Sequence, residues 1–237
     1  MKKYLAVFDL DNTIIDRDIK NHQVYEALYS DGKLPDNFFE LRKYVDTFRQ
    51  HVIDQLNERQ LKKAQVLSIL NYISDTVDSV VKGMDQVLKV LSEDHDIIVI
   101  SDSNTFHAQH LLKHFGLDQY VSAVYSQPMT LTESGQFLCS DLKATWKAPC
   151  QYGGRNVCKG QVLLDYAGDK YQKILYIGDG SNDFCSAMNL SENDLVMPRK
   201  GFTLDKMLQA NNCQAEVKTW TDGYEIISFL QDCTDKL

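Results

Sequence analysis

Two aspartates with one residue between them, Asp9 and Asp11, follow the apolar run Leu5-Ala6-Val7-Phe8 and precede Asn12-Thr13. Residues two apart on a strand share a side, so both carboxylates are expected to project together from the strand's carboxyl end. Carboxylates that close repel, and they stay ionised only around a cation or by sharing a proton. Capping a strand or helix end with Asp11-Asn12-Thr13 is a plainer role open to the same residues. A second cluster, Gly178-Asp179-Gly180-Ser181-Asn182-Asp183, sets two carboxylates four apart in a loop whose glycines leave backbone room. With Asp9 and Asp11 it offers the oxygen ligands that a hard cation such as Mg²⁺ takes, waters and a substrate phosphate completing the shell.

The elements that must position these groups are legible as apolar runs. Ile97-Ile98-Val99-Ile100 is a second buried strand ending in a polar cluster, Ser101-Asp102-Ser103-Asn104. Ile174-Leu175-Tyr176-Ile177 leads into the glycine-rich loop, and Val121–Tyr125 and Leu195-Val196-Met197 read as further strands, the latter the last of the chain. Helical spacing fills 84–91, 107–115, 157–166 and 202–209, and Met129–Leu138 alternates around Glu133-Ser134-Gly135 as a hairpin. Tyr224–Leu230 closes the chain as a helix or an interface. Apolar strands alternating with helices predict an α/β fold, a doubly wound parallel sheet covered on both faces. Ligands bind such sheets beyond the strands' carboxyl ends, where all three polar clusters fall. Between Asn21 and Asp85 apolar residues recur at steps of three and four, which predicts several amphipathic helices inserted after the first cluster. The expected division is a core of residues 1–18 and 86–237 with a helical cap at 19–85.

The net charge of −8 argues against non-specific nucleic-acid binding. No apolar run approaches the ~20 residues of a membrane span, and Lys2-Lys3 leads directly into the first strand without a secretory segment, so a cytoplasmic location with no membrane partner is expected. Six scattered cysteines then read as reduced thiols. Cys150 and Cys158 lie eight apart, wider than the spacing of a structural zinc pair, and no C-x-x-C occurs, so buried thiols are expected there.

Asp9-x-Asp11-x-Thr13, Ser101 after an apolar strand, Lys159, and Gly178-Asp179-Gly180-x-Asn182-Asp183 resemble the four motifs of the haloacid dehalogenase superfamily of phosphohydrolases. The resemblance implies a Rossmann-like core and a phosphatase using Mg²⁺. Asp9 would be the nucleophile, forming an aspartyl phosphate. Asp11 would be general acid and then base while its backbone carbonyl helps hold the metal, and Asp179 would be a further ligand. Lys159 and Ser101 would face the phosphoryl oxygens, Asp183 would orient metal-bound waters or Lys159, and Asn182 would lie behind the ligands. A cap of the kind expected at 19–85 restricts such enzymes to small phosphorylated metabolites. Taken alone, Ser101 also suits a helix N-cap and Lys159 a solvated surface.

Phe8–Asp16, Ile100–Asn104, Asn156–Lys159, Tyr176–Gly180 and Met197-Pro198-Arg199-Lys200-Gly201 are similar, more narrowly, to the phosphoethanolamine/phosphocholine phosphatase group, which includes a pyridoxal-phosphate phosphatase. That group places three cysteines and a proline before the motif lysine, whereas Gly153 and Gly154 replace the middle cysteine and the proline here. It also places an aspartate eleven residues after the nucleophile, where this chain has Lys20; Asp102 remains at the other acidic position. An ammonium at position 20 repels choline or ethanolamine head groups, which points toward pyridoxal 5'-phosphate. A phosphotransferase, or a non-catalytic protein that binds a phosphorylated ligand, stays open on the sequence alone.

Overall fold

The computed structural model describes residues 2–17, 62–64, 67, 71, 74–75, 78–147, 150 and 157–234. Most of the helical stretch between Asn21 and Asp85, and Lys20, lie outside these residues. Among them, no helix is long and apolar enough to cross a membrane.

The chain divides into two compact units, one of residues 1–16, 80–127 and 142–237, the other of 17–79 and 128–141. The first is built on a six-stranded sheet. In chain order its strands are β1 (Tyr4–Phe8), β4 (His95–Asn104), β5 (Ala123–Gln127), β8 (Lys173–Gly178), β9 (Leu195–Pro198) and β10 (Glu216–Val217), and in space they run β10-β9-β8-β1-β4-β5. Every pairing is parallel. The apolar runs of the sequence end the sheet at Leu195–Met197; β10 lies beyond them, because its two exposed residues carry no apolar signal.

Burial on both faces explains the unbroken apolar runs. Ala6, Phe8, Ile97, Val99, Leu175 and Ile177 pack into one core. Their neighbours Leu5, Val7, Ile98, Ile100 and Tyr176 pack into a second core on the opposite face. Helices α1 (Met84–Leu91), α2 (Thr105–His114) and α6 (Gly223–Thr234) supply the first core. Helices α3 (Lys159–Ala167), α4 (Phe184–Ala187) and α5 (Thr203–Ala210) supply the second. The doubly wound α/β expectation therefore holds. Gly223 fits against Gly83 backbone to backbone at the starts of α6 and α1; a Cβ at 223 would sit 2.4 Å from the Gly83 carbonyl carbon.

The chain leaves β1, builds β4 and β5 to one side, then crosses to β8, β9 and β10 on the other. The switch in direction falls between β1 and β8, where doubly wound sheets open a crevice at their carboxyl ends.

Residues 15–17 (β2) and 78–80 (β3) pair as a two-stranded ribbon. In the second unit, β6 (Met129–Leu131) and β7 (Phe137–Cys139) form the expected antiparallel hairpin, and Lys63 pairs with Glu133. Sequence spacing assigned all of 86–237 to the core. The hairpin groups with the insert instead, since its strands pair with each other and add nothing to the large sheet.

Candidate active site

The β1–β8 register places Asp9 and Asp179 on the two sides of the crevice. Phe8 lies level with Ile177, so Asp9 emerges beside Gly178, and its amide donates to the Ile177 carbonyl at 2.9 Å. After Asp9 the chain turns tightly: Ile14 and Ile15 both donate to the Leu10 carbonyl, and Asn12 takes a left-handed φ of 57°. Asn is one of the few side chains that tolerate that backbone. The turn brings the buried Thr13 within 3.4 Å of an Asp179 oxygen.

Lys159, the first residue of α3, is fully buried. Its Nζ donates to Asp9 Oδ1 at 2.7 Å and to Asp183 Oδ1 at 2.8 Å. Asp183 is equally buried and fully occupied: Oδ1 also accepts from the Tyr176 hydroxyl at 2.7 Å, and Oδ2 accepts from the amides of Asp179 and Gly180. The glycines make this possible. A Cβ on Gly178 would fall 2.6 Å from Asp183 Oδ2. Asp183 is therefore a positioning group that fixes the ammonium and the 178–180 turn together.

Ser101 is buried on β4, where the register with β5 shifts between Ile100 and Asn104. Ser101 is not the helix cap that its residue type allows. α2 starts at Thr105, and the Asn104 side chain caps it by accepting from the His107 amide at 2.8 Å. Ser101 Oγ instead accepts from the Ser103 amide at 3.0 Å, which leaves its hydroxyl hydrogen for another acceptor. Asn182 donates to Asp102 at 3.0 Å and ties the β4 loop to the β8 loop. Lys20 lies outside the described residues.

Two participants carry no assigned chemical role in the sequence. Tyr176 reads as one more strand residue, although a phenol in a fully buried strand must find a partner, and that requirement was the available signal. Arg199 follows β9, and its guanidinium donates to the Asn12 carbonyl at 2.8 Å and to Asp16 at 3.0 Å. It thereby braces the turn that carries Asp11.

Burial raises the Asp9 carboxyl well above its ordinary range. Asp183 and Asp179 add to the rise, and Lys159 opposes it. Burial and Asp183 push Asp179 to about 7. Burial would pull Lys159 down, but Asp183 and Asp9 more than offset it and hold the ammonium charged. Carboxylate oxygens of Asp9, Asp179 and Asp183 lie within 4.8 Å of one another. Among the described residues, three acids with clustered oxygens face one buried ammonium, and this excess of carboxylate oxygens suits a hard divalent cation. The residues present therefore fit Mg²⁺.

Among solved structures, a phospho-aspartyl intermediate analogue of phosphoserine phosphatase superposes with a TM-score of 0.57 at 14% identity, covering 97% of this chain and 99% of that one. The HAD hydrolase YfnB of Bacillus subtilis, bound to magnesium, gives 0.54 at 11%, covering 98% and 100%. These likenesses concern the fold alone. In sequence, pyridoxal phosphate phosphatase PHOSPHO2 of Bos taurus is 30% identical over 97% of this chain and 98% of its own length. The phosphoethanolamine/phosphocholine phosphatase of Gallus gallus is 26% identical over 99% and 90%. A family model described as Putative Phosphatase matches residues 4–234, nearly the whole chain, and on that match the chain belongs to this family of phosphatases.

Proposed function

We propose that this phosphatase hydrolyses a small phosphate monoester in two steps, with the phosphoryl group carried between them on Asp9. The observation that most supports this reading is the buried Lys159 ammonium 2.7 Å from an Asp9 oxygen, in a pocket where acids outnumber cations. An Asp9 oxygen attacks phosphorus, the bond from phosphorus to the ester oxygen breaks, and Asp11 gives its proton to that oxygen. Asp11, now a carboxylate, takes a proton from water as the water oxygen attacks phosphorus. Inorganic phosphate and the Asp9 carboxylate are released, and Asp11 ends protonated as it began. Lys159 offsets charge on the phosphoryl oxygens, and the Ser101 hydroxyl donates to one of them. Asp9, Asp179 and the Asp11 backbone carbonyl would hold Mg²⁺, which when bound supplies charge neutralisation at the phosphoryl oxygens.

The reading is tested by hydrolysis of an aryl phosphate with and without EDTA. Turnover that stops on chelation and returns with Mg²⁺ is the expected result. Turnover that survives chelation contradicts it, and binding of phosphorylated ligands with no turnover at all would favour a non-catalytic role.

For the substrate, pyridoxal 5'-phosphate fits best, in a protein working in the cytosol without nucleic-acid or membrane partners. In the sequence, Lys20 stands where the phosphoethanolamine/phosphocholine group carries an acid, and a positive charge in place of that acid disfavours a cationic head group. The bovine relative named for pyridoxal phosphate supports the same reading. Phosphoethanolamine or phosphocholine is the second reading, favoured by the retained Asp102 and by the chicken relative. Comparing kcat/KM for pyridoxal phosphate and phosphocholine decides between them, and a clear phosphocholine preference overturns the first.

A further inference from the structure

The fold brings Cys185 to two thiols, Cys150 and Cys158, that lie at least 27 residues before it in the sequence. The sulfurs of Cys150, Cys158 and Cys185 all lie within 4.8 Å of one another, and the Cys158–Cys185 separation is 3.9 Å. No disulfide joins them. A disulfide needs sulfurs about 2.05 Å apart. With zinc–sulfur bonds of about 2.3 Å, sulfurs on a tetrahedral ion stand about 3.8 Å apart. The spacing already present matches shared coordination better than a bond between two of them.

A second observation concerns what faces these sulfurs. The Gly160 amide donates to Cys185 Sγ at 2.9 Å. Glycine is needed for that approach, since a Cβ at 160 would fall 2.7 Å from the same sulfur. Cys158 is the N-cap of the nine-residue helix α3, where the helix dipole favours a thiolate. Burial pushes the Cys158 and Cys185 thiols up, while the backbone amides of Gln161 and Gly160 pull them back. Donors aimed at sulfur in a half-dry cluster are what a metal-bound thiolate requires around it.

We propose that Cys150, Cys158 and Cys185 form a second metal site, separate from the carboxylate pocket, that takes one soft divalent cation, zinc, with water in the fourth position. Binding releases the thiol protons to solvent, and the metal charge replaces them. The site ties the start of α3, where Lys159 follows Cys158 directly, to the segment two residues beyond Asp183. The eight-residue spacing of Cys150 and Cys158 and the lack of a C-x-x-C argue against zinc in the sequence; Cys185, 27 residues beyond Cys158, joins them only through folding.

The test is a Cd²⁺ titration of the reduced full chain in excess Mg²⁺, followed by the ultraviolet thiolate-to-cadmium charge-transfer band, with Zn²⁺ as competitor. The band is expected to saturate at one Cd²⁺ per chain and to disappear when Zn²⁺ is added. Cys185→Ser and Cys150→Ser should each weaken binding at least about tenfold, the least that loss of even an outer partner costs a metal site. Cys139→Ser and Asp179→Asn should leave it unchanged. Circular dichroism confirms that each variant is folded, and the half-buried Cys150 gives a readout if Cys185→Ser is not. Absence of the band, its persistence in both cysteine variants, or its loss in Asp179→Asn would overturn the proposal. None of these readouts needs turnover, so the result stands apart from the hydrolytic reading.

Discussion

Lys159 and Asp183 meet at 2.8 Å with neither side chain exposed to solvent, and the same ammonium reaches Asp9 at 2.7 Å. A buried cation shared in this way fixes the carboxylate it touches, and removing one member leaves the others as uncompensated buried charge. Lys159→Met should therefore destabilise the fold by about 3–5 kcal/mol. Denaturant melts of the variant measure this, and a loss under ~1 kcal/mol, typical of an exposed pair, would contradict the buried geometry.

Tyr176→Phe removes one of the donors to Asp183 without changing the ring. The expected cost is roughly 1.5–3 kcal/mol, as for a hydrogen bond to a charged group. Because Lys159 keeps its place through Asp9, the variant should lose stability more than it loses kcat. Parallel melts and steady-state rates separate the two effects.

Asp11→Asn tests the division of labour between the two aspartates. With an ordinary alkyl phosphate the proposed mechanism uses Asp11 in both steps, and turnover should fall by on the order of 10²–10⁴. With an aryl phosphate the leaving group needs no proton, so the first step should survive and the second should not. Stopped-flow mixing is then expected to show a burst of one phenolate per site followed by slow turnover. Turnover of this substrate at the wild-type rate, with no burst, would contradict a role for Asp11 in the second step.

The raised carboxyl of Asp179 gives the metal-free protein a defined response to pH. A group whose folded pKa exceeds its unfolded value stabilises the fold while protonated. That contribution is complete below the ordinary value of 3.8 and is lost as pH rises through about 7. Melting temperature in EDTA should therefore fall between pH 4 and pH 7, and Mg²⁺ should stabilise more at pH 8 than at pH 6, where protons compete for the same oxygens. An Mg²⁺ shift that is flat across this range would contradict the titration of Asp179.

Sequence alone conveyed the parts of the site that local pattern encodes. The runs Leu5–Phe8, Ile97–Ile100 and Ile174–Ile177 are apolar at every position because both faces of their strands are buried, so fold class followed directly. Asp9, Ser101 and Asp179 were legible because each ends or closely follows such a run. What escaped were contacts made only by folding. Arg199 reaches back to the turn at Asn12, Tyr176 hides its hydroxyl inside an apolar strand, and Cys185 meets Cys158 across two elements. Asn104, not Ser101, caps α2 because the strand runs on through the polar cluster before the helix begins.

The central claim, that Asp9 carries the phosphoryl group, is most directly tested by acid-quenching the enzyme during turnover of an aryl phosphate and mapping phosphorylated peptides by mass spectrometry. The predicted result is one phosphoryl group on the peptide containing Asp9, increased in Asp11→Asn and absent in Asp9→Asn, which should also be inactive. Turnover by Asp9→Asn at the wild-type rate, with no phosphoryl group on that peptide in the wild type, would contradict it.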